Sequence, residues 1–278
     1  MAILTSCGTS DAPPETTVQP VVEEGINVPI LMYHHFDDAV SSDMIVKEET
    51  FEMHMRTLKD AGYTAITFDE LIAYVETDAK LHEKVVCITM DDGYLSNYEI
   101  AYPILQKYNM NATIFVVGAA VGWTRYRETD HPYIPKFTWA QGLEMLRSGT
   151  IDIQCHTYDM HHWPPFEIGD RVIRPDFMPI EGESEEEYRL TLEGDIKAFK
   201  LLSKIELGKE PFAFAYPSGK YCDQSERILK EQGFKVTLTT RSHSNRVIKN
   251  SPESLYLLGR YTINDSVTAE KLLEIVGG

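Results

Sequence analysis

The chain alternates between short, unbroken apolar runs and longer segments in which apolar residues recur every three or four positions. Apolar runs rich in β-branched residues predict buried strands, whereas the longer period predicts helices. The predicted strands cover residues 28–33, 63–67, 85–88, 112–117, 151–155, 212–216, 235–240 and 255–262. The predicted helices cover residues 48–62, 69–75, 97–108, 139–148, 184–207, 222–232 and 269–276. Strands that alternate with helices predict a single α/β domain with a parallel sheet and right-handed crossovers.

Some element ends carry their own signals. Pro103 predicts that the helix in residues 97–108 begins or bends at that point. Ser184, followed three residues later by Glu187, predicts a capping box at the start of the long helix. The proline-rich residues 163–181 predict a long loop, and loops of this length often form the wall or lid of a functional site.

Two adjacent carboxylates follow the most central of these strands. Residues 89–93 read Thr-Met-Asp-Asp-Gly, directly after the apolar run 85–88. Burying both carboxylates is costly unless a metal, a proton or a hydrogen-bond donor compensates them. A turn at Gly93 can aim Asp91 and Asp92 into one pocket. The alternative interpretation is a plain Asp-Asp-Gly turn after a strand.

Two histidines follow a second strand. His156 and His161 lie just after residues 151–155. Their five-residue spacing is too wide for one helix face, but on a loop that leaves a strand end both can converge on one point. Two neutral imidazoles and one carboxylate form a three-ligand set with an open position for water or substrate. Cys155 faces the other way from His156 on the strand and is predicted to lie in the core.

These two stretches, in their order and separation, resemble the polysaccharide deacetylases, which are carbohydrate esterase family 4 or the NodB-homology domain. Members usually carry Thr-Phe-Asp-Asp-Gly, where this chain has Met90, and then a His-Ser/Thr motif with a second His. The resemblance extends from about Val28 to the C-terminus and includes Trp139 and residues 29–35, 112–117 and 214–219. The branch that deacetylates poly-N-acetylglucosamine is the most similar, since it also shows a Tyr-His near its start and the wider histidine spacing.

The resemblance implies a fold and a set of roles. The implied fold is a distorted (β/α) barrel with about seven parallel strands, whose active site lies at the C-terminal strand ends. The implied ligands of one divalent metal ion are Asp92, His156 and His161, and Asp91 is the implied general base on the attacking water. Zinc is the first choice, with nickel and cobalt as alternatives that accept the same ligands. His162 is interpreted as a structural histidine that packs on Trp163.

The general acid is less well defined. Many members use a histidine from a late Leu-x-x-His motif, and His243 lacks that context. The resembling branch implies His34 instead, at the end of the first strand, where it can give a proton to the departing amine. The alternative is a histidine that only positions Asp91 or closes the barrel.

The segment 215–219, Ala-Tyr-Pro-Ser-Gly, departs from the family pattern Arg-x-Pro-Tyr-Gly. The orienting arginine and the pocket tyrosine are replaced by Ala215 and Ser218. Tyr216, Pro217 and Ser218 are predicted substrate-binding residues, because a backbone N–H near this stretch can still stabilise an oxyanion. Arg260 is placed with them, since it can supply the missing guanidinium in space. A plain surface arginine is the alternative.

The net charge of the chain limits the kinds of partner and substrate that it can bind. The 278 residues include 43 acidic and 26 basic side chains, which gives a net charge of −17. This charge argues against nucleic acid, an anionic membrane surface or a polyanionic substrate, because each would be repelled. A neutral glycan is unaffected, and no stretch is apolar and long enough to predict a transmembrane segment.

The first residues predict a location outside the cytoplasm. Residues 4–7, Leu-Thr-Ser-Cys, resemble a bacterial lipobox in which Cys7 carries a lipid anchor, and residues 9–25 have the composition of a flexible tether. Only six residues precede Cys7, which is too few for a complete signal peptide. We therefore interpret residues 1–25 as a truncated leader or flexible tether, with an ordinary disordered N-terminus as the alternative. Residues 26–278 form the predicted catalytic domain, which is secreted or lipid-anchored at the bacterial cell surface.

Together these features predict a metal-dependent hydrolase that removes N-acetyl groups from N-acetylglucosamine residues of an extracellular or cell-wall polysaccharide. One alternative is an O-acetyl esterase on a polymer such as acetylxylan. Another is a glycan-binding protein with a degenerate deacetylase site.

Overall fold

A computed structural model describes residues 24–127, 129–162 and 174–277. The predicted lipid-anchor position Cys7 and all but the last two residues of the predicted tether lie outside the described residues. The same holds for residues 163–173 of the predicted long loop, including Trp163.

Twelve strands and seven α-helices form the described part of the chain. The strands are β1 Gly25–Val28, β2 Ile30–Tyr33, β3 His35–Phe36, β4 Ile45–Val46, β5 Thr64–Ala65, β6 Val85–Asp91, β7 Ala112–Val117, β8 Ile151–Thr157, β9 Ala213–Ala215, β10 Val236–Leu238, β11 Asn245–Ile248 and β12 Tyr261–Thr262. The helices are α1 Glu48–Asp60, α2 Phe68–Glu76, α3 Tyr102–Tyr108, α4 Trp139–Arg147, α5 Glu185–Leu207, α6 Asp223–Glu231 and α7 Ala269–Gly277.

The main sheet is parallel and curled. Its seven strands run in the order β10-β9-β8-β7-β6-β2-β12, and β5 pairs with the beginning of β6. Leu238 of β10 forms a parallel bridge to Leu258, just before β12, so the two edges of the sheet meet. This curled seven-stranded sheet agrees with the distorted barrel that the family resemblance implies.

Side chains alternate between the two faces of each strand, which divides the core into two layers. The polar residues of the candidate site lie on the face that lines the inside of the barrel. Alternate residues of β6 pack in the cluster beneath the helices, namely Val86, Ile88 and Met90. The intervening Cys87 belongs to the inner cluster, together with one or two residues each from β1, β2, β7, β9, β10 and β11 and the buried residues of α2. Asp91 has the same parity as Cys87, so it lies on the inner face at the C-terminal end of its strand. Parallel strands covered on both faces read as continuous apolar runs, which explains the pattern in the sequence.

Several predicted boundaries hold. A π-helical turn, Asn97–Ala101, precedes α3, so the helix breaks beside Pro103 as predicted. Ser184 and Glu187 form the predicted capping box of α5, and Gly208 ends that helix in the left-handed conformation with φ 74°.

Other predictions were wrong or incomplete. The predicted strand 28–33 is divided into β1 and β2 by Pro29, and β1 pairs antiparallel with β11, which the sequence did not predict. The predicted strand 255–262 is a strand only in β12, because the 3₁₀ turn Pro252–Leu255 and Leu257, with φ 55°, interrupt it.

Candidate metal centre and active site

The turn after β6 sends two adjacent carboxylates into one pocket. Asp92 itself adopts the left-handed conformation, with φ 71°, and Gly93 follows with φ 68°. Aspartate tolerates this region better than most residues that carry a Cβ. A Cβ on Gly93 would lie 3.0 Å from Val116 Cγ1, so the position also favours glycine sterically. Asp91 ends the strand facing inward, and the turn brings Asp92 to the same side.

Asp92, His156 and His161 converge as the sequence predicts. Asp92 Oδ1 lies 3.7 Å from His156 Nε2 and 3.6 Å from His161 Nε2. One ligand atom from each of the three residues lies within 4.8 Å of the others. His156 is the penultimate residue of β8, and its side chain faces the inside of the barrel. The neighbouring Cys155 faces the opposite way and packs in the cluster beneath the helices.

Backbone carbonyls set the tautomer of both imidazoles. His156 Nδ1 lies 2.6 Å from the Ala215 carbonyl oxygen, and His161 Nδ1 lies 2.8 Å from that of Pro175. A carbonyl oxygen can only accept, so each Nδ1 donates and each Nε2 presents its lone pair towards Asp92. Burial lowers the pKa of His156 to about 4, which leaves it neutral at pH 7.

The hydrogen bonds and the ionisation state of Asp92 show whether these residues fit a metal ion. Its Oδ2 accepts a hydrogen bond from the Tyr94 hydroxyl at 3.0 Å, whereas Oδ1 is buried and has no hydrogen-bond partner among the described residues. Burial acts to raise the pKa of Asp92, but the Lys136 ammonium and the imidazoles outweigh it and hold the pKa below its usual range. An ionised oxygen and two nitrogen lone pairs that face one another suit a divalent cation, which would satisfy all three.

Asp91 is held by a buried arginine. Arg260 donates from Nη1 and Nη2 to the two carboxylate oxygens of Asp91, each at 2.7 Å, and from Nε to the Thr239 carbonyl at 3.0 Å. Burial acts to raise the pKa of Asp91, but the guanidinium prevails and lowers it. Arg260 therefore occupies the role of an orienting guanidinium, although it lies just before β12 rather than in segment 215–219. Its prediction as a substrate-binding residue is wrong, because it is fully buried and its donors are engaged within the protein.

His34 lies beside this ion pair. Its Nε2 is 4.0 Å from Asp91 Oδ2, and its backbone carbonyl accepts from Asn97 Nδ2 at 2.7 Å. Burial lowers the pKa of His34 and outweighs the opposing effect of Asp91 and Asp92. The structure thus places His34 where a proton acceptor or donor could serve Asp91. Its role as general acid stays a prediction.

The predicted substrate residues of segment 215–219 are only partly available. Tyr216 is fully buried, its hydroxyl donates to Glu226 at 2.8 Å, and its N–H donates to the Leu238 carbonyl. The prediction that Tyr216 binds substrate is therefore wrong for both its side chain and its N–H. Pro217 is buried and Ser218 is exposed, with φ 56°, and their contacts with substrate stay predictions.

His162 is not part of the metal centre. Its Nε2 lies 2.5 Å from Asp159 Oδ1, and its ring stacks on Trp123 at 6.3 Å between centroids. The structural role predicted for it agrees with these contacts, although the predicted contact with Trp163 lies outside the described residues.

Sequence reasoning missed the residue that shapes the loop between the two histidines. Asp195, buried on α5, accepts hydrogen bonds from Thr157 Oγ1 and from the N–H groups of Tyr158 and Asp159, all at 2.8 Å. Thr157 Oγ1 in turn accepts from the Met160 N–H at 3.0 Å. This network fixes the path of the chain from His156 to His161. An aspartate in the middle of a long helix gives no sequence signal of this role.

Replacing Asp195 by asparagine is expected to lower metal affinity by about 10–100-fold, as is typical when outer hydrogen bonds that orient metal ligands are lost. An amide has one acceptor oxygen and cannot accept from donors on both sides of the carboxylate. Metal competition with a chromogenic chelator measures the effect, and Glu186→Gln, at an exposed position on the same helix, is the matched control. Unchanged affinity in a folded Asp195→Asn variant would contradict the role.

The comparisons with known proteins agree with this geometry. The family model described as polysaccharide deacetylase matches residues 78–237, and the chain belongs to this family. Over 220 residues it is 27% identical to the poly-beta-1,6-N-acetyl-D-glucosamine N-deacetylase of Staphylococcus aureus (strain MRSA252), which covers 79% of this chain and 68% of that protein.

Two solved structures share the fold. The structure of IcaB from Ammonifex degensii superposes with a TM-score of 0.72 at 25% identity, covering 91% of this chain and 97% of that one. Streptococcus pyogenes deacetylase PplD, solved in complex with acetate, gives a TM-score of 0.69 at 25% identity and covers 91% and 99%. The predicted family and its NodB-like fold are confirmed. Among the described helices, none has the length and apolar character needed to cross a membrane.

Proposed function

We propose that this protein is a metal-dependent deacetylase that removes N-acetyl groups from N-acetylglucosamine residues of a bacterial extracellular or cell-wall polysaccharide. The observation that carries the proposal is the convergence of Asp92, His156 and His161 beside Asp91, which Arg260 holds ionised. The Staphylococcus aureus relative, named as a poly-beta-1,6-N-acetyl-D-glucosamine N-deacetylase, supports the class of substrate. The proposal includes zinc as the ion, with nickel or cobalt as alternatives, and secretion or lipid anchoring at Cys7.

Each charged residue has a defined part in hydrolysis of the amide. A divalent ion held by Asp92, His156 and His161 would polarise the acetyl carbonyl and bring the pKa of a water to about 7. Asp91 accepts the proton of the attacking water, since each of its oxygens retains a lone pair beyond the one used by Arg260. Arg260 keeps Asp91 ionised and fixes its orientation.

The proton must finally reach the leaving nitrogen. We assign this transfer to His34, whose Nε2 lies 4.0 Å from Asp91 Oδ2. Because burial keeps His34 neutral at pH 7, it starts as a proton acceptor and becomes an acid only after receiving the proton released in the reaction.

Acetate release from two substrates tests the proposal. Zinc-loaded protein is incubated with N-acetylglucosamine oligomers and with acetylated xylan, and acetate is quantified before and after chelation. Chelator-sensitive release from the oligomers is expected. Release from xylan alone would replace the proposal by an O-acetyl esterase, and metal binding without release from any acetylated sugar would indicate a glycan-binding protein.

Replacing His34 by glutamine is expected to lower the turnover number by about 10²–10⁴-fold, the usual contribution of a general acid or base, while metal affinity stays unchanged. His82→Gln, at an exposed position, is the matched control. Steady-state rates across pH and metal competition measure the two effects. An unchanged rate and pH profile in His34→Gln would remove this residue from the active site.

A further inference from the structure

Backbone pairing between residues 135–137 and residues 93–95 places Lys136 beside the candidate metal centre. Tyr94 and Lys136 form an antiparallel bridge. The Leu95 N–H donates to the Pro135 carbonyl at 2.7 Å, and the Phe137 N–H donates to the Gly93 carbonyl at 3.2 Å. Residues 135–137 therefore run alongside the residues that immediately follow the metal-binding aspartate.

The ammonium of Lys136 is buried between aromatic rings. The residue is 4% exposed, and Nζ lies 3.3 Å from the centroid of Tyr94 and 5.4 Å from that of Tyr133. The hydroxyl of the same Tyr94 donates to Asp92 Oδ2. In the described part of the chain, Lys136 forms no ion pair with a carboxylate within 4.0 Å. Burial lowers the pKa of Lys136 to about 8 against the opposing effect of Asp92, so the side chain is mainly charged at pH 7.

Without a metal ion, the four charged side chains of the centre sum to zero net charge. Asp91 and Arg260 cancel each other, and the single charges of Asp92 and Lys136 cancel as well. A divalent ion then adds two positive charges that none of these four groups offsets. Lys136 repels such an ion, because like charges at short range in a dry site interact strongly. Metal retention alone therefore does not account for a buried ammonium at this position.

An anion in the loaded site does account for it. Hydrolysis of an acetamide forms a bond between the water oxygen and the acyl carbon and breaks the carbon–nitrogen bond. Negative charge develops on the acyl oxygen, both protons of the water end on the nitrogen, which leaves as an ammonium group, and acetate leaves as an anion. A fixed cation next to the metal ligands stabilises this charge without having to reorganise.

We propose that Lys136 makes the metal-loaded centre a receptor for carboxylate and oxyanion groups, so that it stabilises the acetyl oxygen during hydrolysis and retains the acetate product. The inference rests on the proposed deacetylase function, and it assigns to one lysine the anion affinity of that site. The rival role is structural: the ammonium supports the Tyr94 ring and, through the Tyr94 hydroxyl, the orientation of Asp92.

Acetate and zinc affinities separate the two roles without any glycan. Zinc-loaded wild-type protein, Lys136→Met and Lys136→Arg are titrated with acetate by NMR, and zinc affinity is measured by chelator competition. We expect Lys136→Met to bind acetate at least about tenfold more weakly, because truncating one partner of a buried charge pair has an effect of this size or larger. Lys136→Arg keeps the charge and is expected to stay within a few-fold of wild type. Zinc affinity of Lys136→Met is expected to be unchanged or tighter.

Two results would overturn the inference. Equal acetate affinity in wild type and Lys136→Met would remove the anion-binding role, and weaker zinc binding by Lys136→Met would show that the lysine orients Asp92 instead. If Lys136→Met does not fold, a Lys136→Arg variant that loses acetate binding and zinc binding together also contradicts the proposal. Lys80→Met, at an exposed position between α2 and β6, controls for loss of one positive charge.

The outcome is distinguishable from failure of the proposed function. Lys136-dependent acetate binding without deacetylation of any sugar would support the anion site and overturn the deacetylase proposal. Full deacetylase activity together with an acetate affinity that is the same in wild type and Lys136→Met would overturn the anion site alone.

Discussion

Replacing Asp91 by asparagine is expected to lower the turnover number by about 10²–10⁴-fold while the protein still binds a divalent ion. The amide cannot accept the proton of the attacking water, and general base catalysis typically contributes a factor of this size. Metal binding is expected to persist because the ligand atoms belong to Asp92, His156 and His161. Acetate release and metal content, measured on the same preparation, test both parts.

The same substitution has a stability cost that has to be controlled. It leaves the fully buried Arg260 without its bidentate partner, and removing one member of a buried ion pair typically costs about 3–5 kcal/mol. The double variant Asp91→Asn/Arg260→Met should recover part of the unfolding free energy but none of the turnover. Near-native turnover in folded Asp91→Asn would show that another group is the base.

Replacing His156 by glutamine is expected to weaken metal binding by more than about 100-fold, and activity should fall with metal content. Losing only an outer hydrogen bond to a metal ligand already costs about 10–100-fold, and His156 supplies a ligand atom itself. The neighbouring His162→Gln variant is the matched control, because His162 contacts Asp159 and Trp123 instead of the metal centre. Similar loss of metal in both variants would contradict the assignment of the ligands.

Local sequence was sufficient to predict features that a short segment forms without contacts from distant parts of the chain. β7, Ala112–Val117, was predicted with its observed bounds because both faces of a central parallel strand are covered, so the apolar run is unbroken. The two acidic residues and two histidines were likewise found from their position after strands. The capping box at Ser184 is a local signal of the same kind.

Contacts between distant segments were not predictable from local pattern. Arg260 lies 169 positions from Asp91, and only the closure of the barrel shows that it is a buried partner of the base rather than a substrate contact. β1 pairs with β11 across most of the chain, so neither strand has a nearby signal. Lys136 follows a proline in a polar segment and resembles an ordinary surface lysine until its pairing with Tyr94 buries it.

We propose that one metal ion at Asp92, His156 and His161 makes this protein a deacetylase. The most direct measurement is a titration of chelator-stripped protein with zinc, in which acetate release from N-acetylglucosamine oligomers is followed at each addition. We predict no release from stripped protein and a linear rise that saturates at one ion per chain, with no rise for His156→Gln over the same range. Undiminished release from fully stripped protein, or zinc-dependent release by His156→Gln equal to that of wild type, would contradict the account.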